Sequence, residues 1–263
     1  MFRGLIFVML MFITPMLALR CSVYPVKAAV SLTILPTDSG YLNDFYFYYI
    51  VGEVQNEGST PVTNVVINAT LYDSTGASVA NISQPTVLST ILPGRISPFD
   101  ITLYSTALSQ RVLNYTLHIS QYLPTSNGQA GLMIVSNTSS LDSNGFHVSG
   151  TIKNIGTQNT TFVQVIATFY NTTGHVITTV ADYSDPSSLS INQTAPFNLS
   201  LNSSAAKQVD RFALEAESYD SNFVQDYELI PEFQPIPFMF TLLILVATMS
   251  LTLKGFSKRA ANY

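Results

Sequence analysis

Through most of the chain between Ala29 and Tyr219, apolar and polar residues alternate with a period of two. Tyr48, Ile50, Gly52 and Val54 share one side of a segment, and Val65, Ile67, Ala69 and Leu71 share one side of the next. Successive side chains of extended backbone point to opposite faces, so this period predicts strands with one buried face. Turn chemistry separates the segments. Asn56-Glu57-Gly58 lies between these two, and Asp73-Ser74-Thr75-Gly76 follows the second. Asn and Gly tolerate the left-handed dihedrals that such loops need. The chain is predicted to be all-β.

The pattern occurs twice. A shift of 98 positions lays Ile50 to Ile101 on Val148 to Leu199 without a gap, and 13 of the 52 pairs are identical. They include Gly52 with Gly150, Asn56 with Asn154, Gly58 with Gly156, Tyr72 with Tyr170, Gly76 with Gly174, and Pro98-Phe99 with Pro196-Phe197. The inward set repeats as well: Val65, Ile67, Ala69 and Leu71 become Val163, Val165, Ala167 and Phe169. This is an internal duplication. Weaker copies extend it, with Val30 to Leu35 matching Gly131 to Val135, and Tyr115, Leu117 and Ile119 matching Phe212, Leu214 and Ala216. About seven short strands per copy suggest two tandem immunoglobulin-like antiparallel sandwiches. The expected division is 29–122 for the first, 123–129 for a linker and 130–224 for the second.

The chain here resembles the FxLYD-domain family, a small β-sandwich module of prokaryotic extracytoplasmic proteins. The residues that carry the resemblance are Gly52-Glu53-Val54-Gln55-Asn56, Ala69-Thr70-Leu71-Tyr72-Asp73, Leu92-Pro93-Gly94 and Pro98-Phe99. The second copy keeps Gly150, Asn154, Tyr170, Pro196 and Phe197, but has Phe169-Tyr170-Asn171 for Leu-Tyr-Asp and no Leu-Pro-Gly. The resemblance implies a non-catalytic module and brings no catalytic residues with it.

The two ends change the picture of location. Met1-Phe2-Arg3 precedes an apolar run from Gly4 to Leu19, the pattern of a secretory signal, with cleavage expected after Ala28. An uncleaved signal anchor is the alternative. Residues 225–235 are expected to form a juxtamembrane linker. Ile236 to Leu253 is an uncharged run of 18 residues, long enough to cross a bilayer as a helix. In the tail at 254–263, Lys254, Lys258 and Arg259 favour the cytoplasmic side. The expectation is a single-pass membrane protein with its bulk outside the cell and membrane lipid around its C-terminal helix. Pro231-Glu232-Phe233, the helix and Lys258-Arg259 resemble the PEF-type C-terminal sorting signals of archaeal surface proteins. That resemblance implies an archaeosortase as a partner that removes the helix.

Charge and composition exclude some partners. Between Ala29 and Glu232 sixteen acidic residues face five basic ones, a net of −11. Such a body repels phosphates, so nucleic acid is not expected as a partner. Cys21 is the only cysteine, so no intramolecular disulfide can form.

Nine Asn-x-Ser/Thr triplets begin at Asn68, Asn81, Asn114, Asn137, Asn159, Asn171, Asn192, Asn198 and Asn202. Asn68 alternates with inward Ile67 and Ala69, and Asn198 with inward Phe197 and Leu199, so each is expected on an outer face able to carry a glycan. Asn114 and Asn202 take outward positions, and the other five fall near turns or loops.

Catalytic chemistry finds little apparatus. His118 and His147 are expected on outward strand positions, and His175 follows a hairpin glycine, with no metal-ligand spacing among them. No phosphate loop or Gly-x-Ser-x-Gly elbow is present. Glu215 and Glu217 are expected to share the solvated face of a closing strand, and Asp182-Tyr183-Ser184-Asp185 has carboxylates that could join a loop calcium site but lacks the spacing of a defined calcium loop. No metal, cofactor or enzymatic activity is expected. Tyr41, Phe45, Tyr46, Phe47, Tyr48 and Tyr49 concentrate aromatic rings, read as packing between sandwiches or cross-strand pairing, with a contact patch as the alternative. The function expected is adhesion, envelope assembly or binding of another surface protein or glycan. An accessory subunit of a membrane transporter or secretion complex is the alternative, and a hydrolase using Glu215 or Asp185 a third.

Overall fold

The structure is a computed structural model that describes residues 29–43, 46–202, 204–219, 223–225 and 228–231. The first repeat contributes β1 (Leu32–Ile34), β2 (Ser39–Leu42), β3 (Tyr48–Asn56), β4 (Val62–Tyr72), β5 (Ser78–Pro85), β6 (Thr90–Ile91), β7 (Ile96–Leu103) and β8 (Asn114–Pro124). The second contributes β9 (Gln129–Leu141), β10 (Phe146–Asn154), β11 (Val163–Tyr170), β12 (Val176–Tyr183), β13 (Thr194–Leu201), β14 (Arg211–Ser218), β15 (Phe223–Gln225) and β16 (Glu228–Pro231). Among the described residues, a one-turn helix, α1 (Thr106–Ser109), and a 3-10 turn over Ser204–Gln208 interrupt an otherwise all-β, sandwich-like structure.

Both repeats are wired alike. In the first, β3 pairs with β7 on one edge and with β1 and β2 on the other, while β4 lies between β5 and β8. In the second, β10 lies between β9 and β13, and β11 between β12 and β14. Their edges differ: β6 adds to β4 in the first repeat, and β16 to β14 in the second. β15 pairs antiparallel with β14 and parallel with β9, which joins the two layers of the second repeat into one eight-stranded sheet. The two layers of the first repeat remain separate four-stranded sheets.

The duplicated residues have duplicated jobs. Tyr48, Ile50, Val54, Val65, Ile67, Leu71, Ile91, Phe99 and Ile101 build the first core. Their counterparts 98 positions on, Phe146, Val148, Ile152, Val163, Val165, Phe169, Leu189, Phe197 and Leu199, build the second. Each fully buried phenylalanine contributes about 2–3 kcal/mol relative to an exposed one. Gly52 lies opposite Phe99 across the β3–β7 ladder, and Gly150 opposite Phe197 across β10–β13. A Cβ on Gly52 would sit 2.6 Å from Phe99 Cζ, and one on Gly150 2.7 Å from Phe197 Cζ. At both sites the ring occupies part of the space a side chain would need, and at Gly150 the Ser136 carbonyl oxygen is closer still, at 2.1 Å.

Asn56 and Asn154 explain the other shared positions. Each is fully buried at the end of its strand. Asn56 Nδ2 donates to the carbonyls of Thr60 and Ile91 at 2.9 and 3.0 Å, and Asn154 Nδ2 to those of Gln158 and Leu189 at the same distances. The Gly58 and Gly156 N–H groups donate back to the two Oδ1 atoms at 3.0 and 2.9 Å. These side chains satisfy backbone groups that a buried loop would otherwise leave unpaired. The missing Leu-Pro-Gly of the second repeat is replaced in conformation. Asn192, at φ 65°, stands where Gly94 has φ 79°, and each donates its N–H to the carbonyl of the buried asparagine.

The expected linker at 123–129 overlaps the end of β8 and the start of β9. β8 runs to Pro124, β9 begins at Gln129, and the Thr125 N–H donates to the Pro61 carbonyl at 2.9 Å. The expected signal segment at 1–28, the expected helix at 236–253 and tail at 254–263, and Glu232 and Phe233 lie outside the described residues, and Pro231 ends β16. No helix among the described residues is long and apolar enough to cross a membrane.

Candidate functional site

The feature the alternation does not reveal is a buried junction between the repeats. The outer face of β3 packs against the outer face of β11, β12 and β14. Val51, Tyr170, Val176 and Ala213 form one buried apolar cluster there, with Tyr41 against it. Leu88 and Leu92, from the stretch between β5 and β7, close over Ile166 in a second. The Val176 N–H donates to the Thr37 carbonyl at 2.8 Å, which fastens the backbones directly.

Carboxylates line this junction. Glu53 Oε1 accepts from the Tyr170 hydroxyl at 2.5 Å and Oε2 from Thr37 Oγ1 at 2.9 Å. Glu217 Oε2 accepts from the Ser89 N–H and hydroxyl at 2.8 and 2.7 Å. Glu215 is 2% exposed, and neither of its oxygens has a hydrogen-bond partner among the described residues. The expectation of a solvated face for Glu215 is therefore corrected: that face of β14 is covered by the first repeat. Burial raises the Glu215 carboxyl well above its ordinary value, and the charges of Glu53 and Glu217 add to this against the attraction of Arg95. Burial also raises Glu53, opposed by the bonds from Tyr170 and Thr37 and by the charge of Arg211. The Arg211 guanidinium lies 5.2 Å from the Tyr170 ring centroid.

Two hollows flank the junction. A cleft of about 580 Å³ is lined by residues that include Tyr41, Tyr49, Asn171, Val176, Thr178 and Gln208. Tyr41 and Tyr49 stack at its edge with centroids 5.6 Å apart and planes 11° apart. Tyr41 thus fills the packing role expected of it, while Phe47 pairs edge-on with exposed Tyr104. A smaller hollow of about 270 Å³ is lined by Phe162, Gln164, Tyr183, Glu217 and Tyr219.

The sequon asparagines are distributed over both repeats. Asn81, Asn114, Asn159, Asn192, Asn198 and Asn202 are exposed, and Asn137 and Asn171 are half-buried. Asn68 points away from the core as the alternation predicts, yet it is 8% exposed, with Nδ2 donating to Asn81 Oδ1 and, at 2.9 Å, to Ser83 Oγ. A glycan on Asn68 would leave Nδ2 a single hydrogen, so the two bonds could not both be kept. His118 and His175 are exposed. His147 contacts Ser200 Oγ at 2.9 Å and Asp142 Oδ1 at 3.2 Å. Asp182 Oδ1 accepts from the Tyr183 N–H, and no group of three His, Cys, Asp or Glu converges to hold a metal among the described residues.

A usable signal for the junction exists in the mismatches between copies. Val51 aligns with Ser149, and Ile166 with Asn68. Apolar residues at outward positions in one copy only mark the face that copy buries.

No protein-family model matches the chain, and no curated protein does. Among solved structures, it is similar to an exo-chitosanase from Amycolatopsis orientalis (12% identity, TM-score 0.27, covering 76% of this chain and 26% of that one). It is also similar to a red sea bream transglutaminase (9%, TM-score 0.26, 79% and 32%) and to a GH2 β-galacturonidase from Eisenbergiella tayi (10%, TM-score 0.25, 80% and 44%). The chain spans less than half the length of each of these.

Proposed function

We propose that the chain is a non-enzymatic binding or structural module of the cell surface, built from two immunoglobulin-like FxLYD-type sandwiches in tandem. In this reading a signal segment exports the chain, residues 236–253 anchor it, and the sandwiches stand outside. The observation that carries the reading is the distribution of the glycan acceptors. Six of the nine sequon asparagines are exposed, and they lie on both repeats. The acidic excess of the same region supports it, since a soluble exterior in salt tolerates such charge. The pairing of the repeats supports a spacer or scaffold role, because a buried junction holds two sandwiches in one relative orientation.

Intact mass and tryptic mapping of the protein from native membranes test this. The expected result is a mature chain beginning near Ala29, with glycans on at least some of Asn81, Asn114, Asn159, Asn192, Asn198 and Asn202, and with peptides covering 236–253. A chain ending near Pro231 with a modified C-terminus would make Pro231, Glu232 and Phe233 a sorting signal cut by an archaeosortase. Bare asparagines at all nine sites, with an intact N-terminus and the sandwiches protected from external protease, would overturn the extracellular placement. Co-purification in fixed ratio with polytopic subunits would move the protein to a transporter or secretion complex.

A further inference from the structure

We propose that Phe162, Tyr183, Tyr219 and Glu217 form a binding site for a small organic ammonium ion. This rests on geometry alone and stands whether or not the chain is surface-anchored. The three rings are each more than half exposed, although nothing in the strand pattern requires aromatic residues there. The Phe162 ring lies 6.4 Å from that of Tyr183 at 65°, and 6.3 Å from that of Tyr219 at 88°. Rings set at such angles make the walls of a box rather than a flat platform. A box presents ring faces and edges to a compact, rounded group, whereas the broad face of a sugar ring stacks on a flat, open aromatic surface.

The charge of the hollow selects the sign of the ligand. Glu217 lines it, and its Oε2 is held by both donors of Ser89, which fixes the carboxylate in place. These bonds leave Oε1 to the hollow. Aromatic faces attract cations through their quadrupole, and a fixed carboxylate beside them adds a full opposite charge. Gln164 completes the lining with a neutral polar group. A hollow of about 270 Å³ admits a trimethylammonium or similar alkylammonium head.

Backbone strain is the independent observation. Phe162 has φ 53°, and its counterpart Asn64 has φ 52°. Both repeats therefore need a left-handed residue at this point. The first uses asparagine, which tolerates that conformation, while the second uses a bulky aromatic residue, which does so at a cost. Strain of this kind persists where the side chain serves another purpose. Here the left-handed turn delivers the ring to the box.

Ligand-observed NMR titration of the full 263-residue chain in non-ionic detergent tests the site, with choline and tetramethylammonium as probes. The neutral isostere 3,3-dimethylbutanol and glucose serve as controls. Saturable choline binding is expected, at least about fivefold tighter than the neutral isostere. Phe162→Gly removes a wall while relieving the left-handed strain, and Tyr219→Ala removes a ring from a residue that is 79% exposed. Both variants are expected to keep the wild-type Tm or exceed it and to weaken choline by about fivefold or more. Glu217→Gln, which keeps an oxygen for Ser89, is expected to weaken choline without strengthening the isostere. Equal binding of choline and its isostere, tighter binding of glucose, or unchanged affinity in both ring variants overturns the proposal. So does the absence of saturation by about 50 mM choline, since that concentration exceeds the weakest Kd such a box gives.

Discussion

The Tyr170 hydroxyl donates to Glu53 Oε1 at 2.5 Å, joining residues 117 positions apart and so one repeat to the other. Neither residue's counterpart, 98 positions away, makes this bond. Tyr72, the counterpart of Tyr170, is paired at 3.5 Å with Thr116 Oγ1 on a polar face. Thr151, the counterpart of Glu53, bonds Ser136 at 2.8 Å. Tyr170→Phe leaves the Glu53 carboxylate buried with one donor fewer. It is expected to cost about 1–3 kcal/mol near neutral pH and less in acid, because protonated Glu53 no longer needs the donor. Denaturant unfolding at two pH values measures both figures. An equal loss at both would mean that Glu53 does not change its protonation between them.

The junction carboxyls give the molecule an inverted response to acid. Burial is the first cause that raises Glu53, Glu215 and Glu217 above their ordinary values. Each of them binds its proton more tightly folded than unfolded. Their contribution is therefore fully present below the ordinary glutamate value of 4.5, and it is lost as pH rises through the folded values. Asp73 runs the other way. Bonds from Thr75 and Arg111 hold it down at about 2, so its contribution is present above 3.8 and lost as pH falls toward 2. Thermal unfolding is expected to show a higher Tm at about pH 5 than at about pH 8. Glu215→Gln, which removes an unpartnered buried charge, is expected to stabilise by about 1–3 kcal/mol at the higher pH and to flatten the slope. A Tm that rises from pH 5 to pH 8 in the wild type would contradict this account.

What could be read from the sequence, and what could not, follows the same division. Core positions were legible because they repeat. Val65, Ile67 and Ala69 recur as Val163, Val165 and Ala167, and both sets are buried. Alternation identifies the side of a strand that faces its own core, but it is silent on what covers the other side. Glu215 was misread for that reason: it faces away from its core and is buried by the other repeat. Asn68 faces away from its core too, and neighbouring strands cover it. The aromatic box was hidden more deeply, since Phe162 and Tyr219 meet only through the fold and a left-handed turn at a phenylalanine breaks the propensities used to find turns.

Gly52 and Gly150 look interchangeable in sequence, but substitution is expected to separate them. The nearest atoms to a Cβ on Gly52 belong to side chains, Phe99 Cζ at 2.6 Å and Asp38 Cβ at 2.8 Å. On Gly150 the nearest is the Ser136 carbonyl oxygen at 2.1 Å, which cannot move without disturbing the β9–β10 ladder. Gly52→Ala is expected to cost about 1–3 kcal/mol and to be partly recovered by Phe99→Leu. Gly150→Ala is expected to cost more, and Phe197→Leu to recover little of it. A double-mutant cycle at each site gives the coupling. Equal coupling at the two sites would show that the ring, not the backbone, limits both.

The junction's position in the duplication predicts a way to open it. The first repeat buries the outer face of β3, and the second buries the outer face of β11 and β14, so the contact is heterologous. Such a contact propagates into chains of molecules unless the unused faces are blunted. Here the unused face of β10 carries His147, Ser149 and Thr151, and that of β4 carries Asn68, Thr70 and Tyr72. Exchanging residues between copies should therefore change assembly while leaving both cores intact. Val51→Ser and Ile166→Asn install what the other repeat carries at the same position, each replacing a fully buried side chain at the junction. Each is expected to cost about 1.5–3 kcal/mol, all of it at the junction. Calorimetry of the double variant is then expected to show two transitions where the wild type shows one. The reverse pair, Ser149→Val and Asn68→Ile, makes the two unused faces apolar and is expected to produce concentration-dependent self-association by sedimentation velocity. If that pair stayed monomeric while the first pair unfolded in a single step, the outward faces would not be what holds the repeats together.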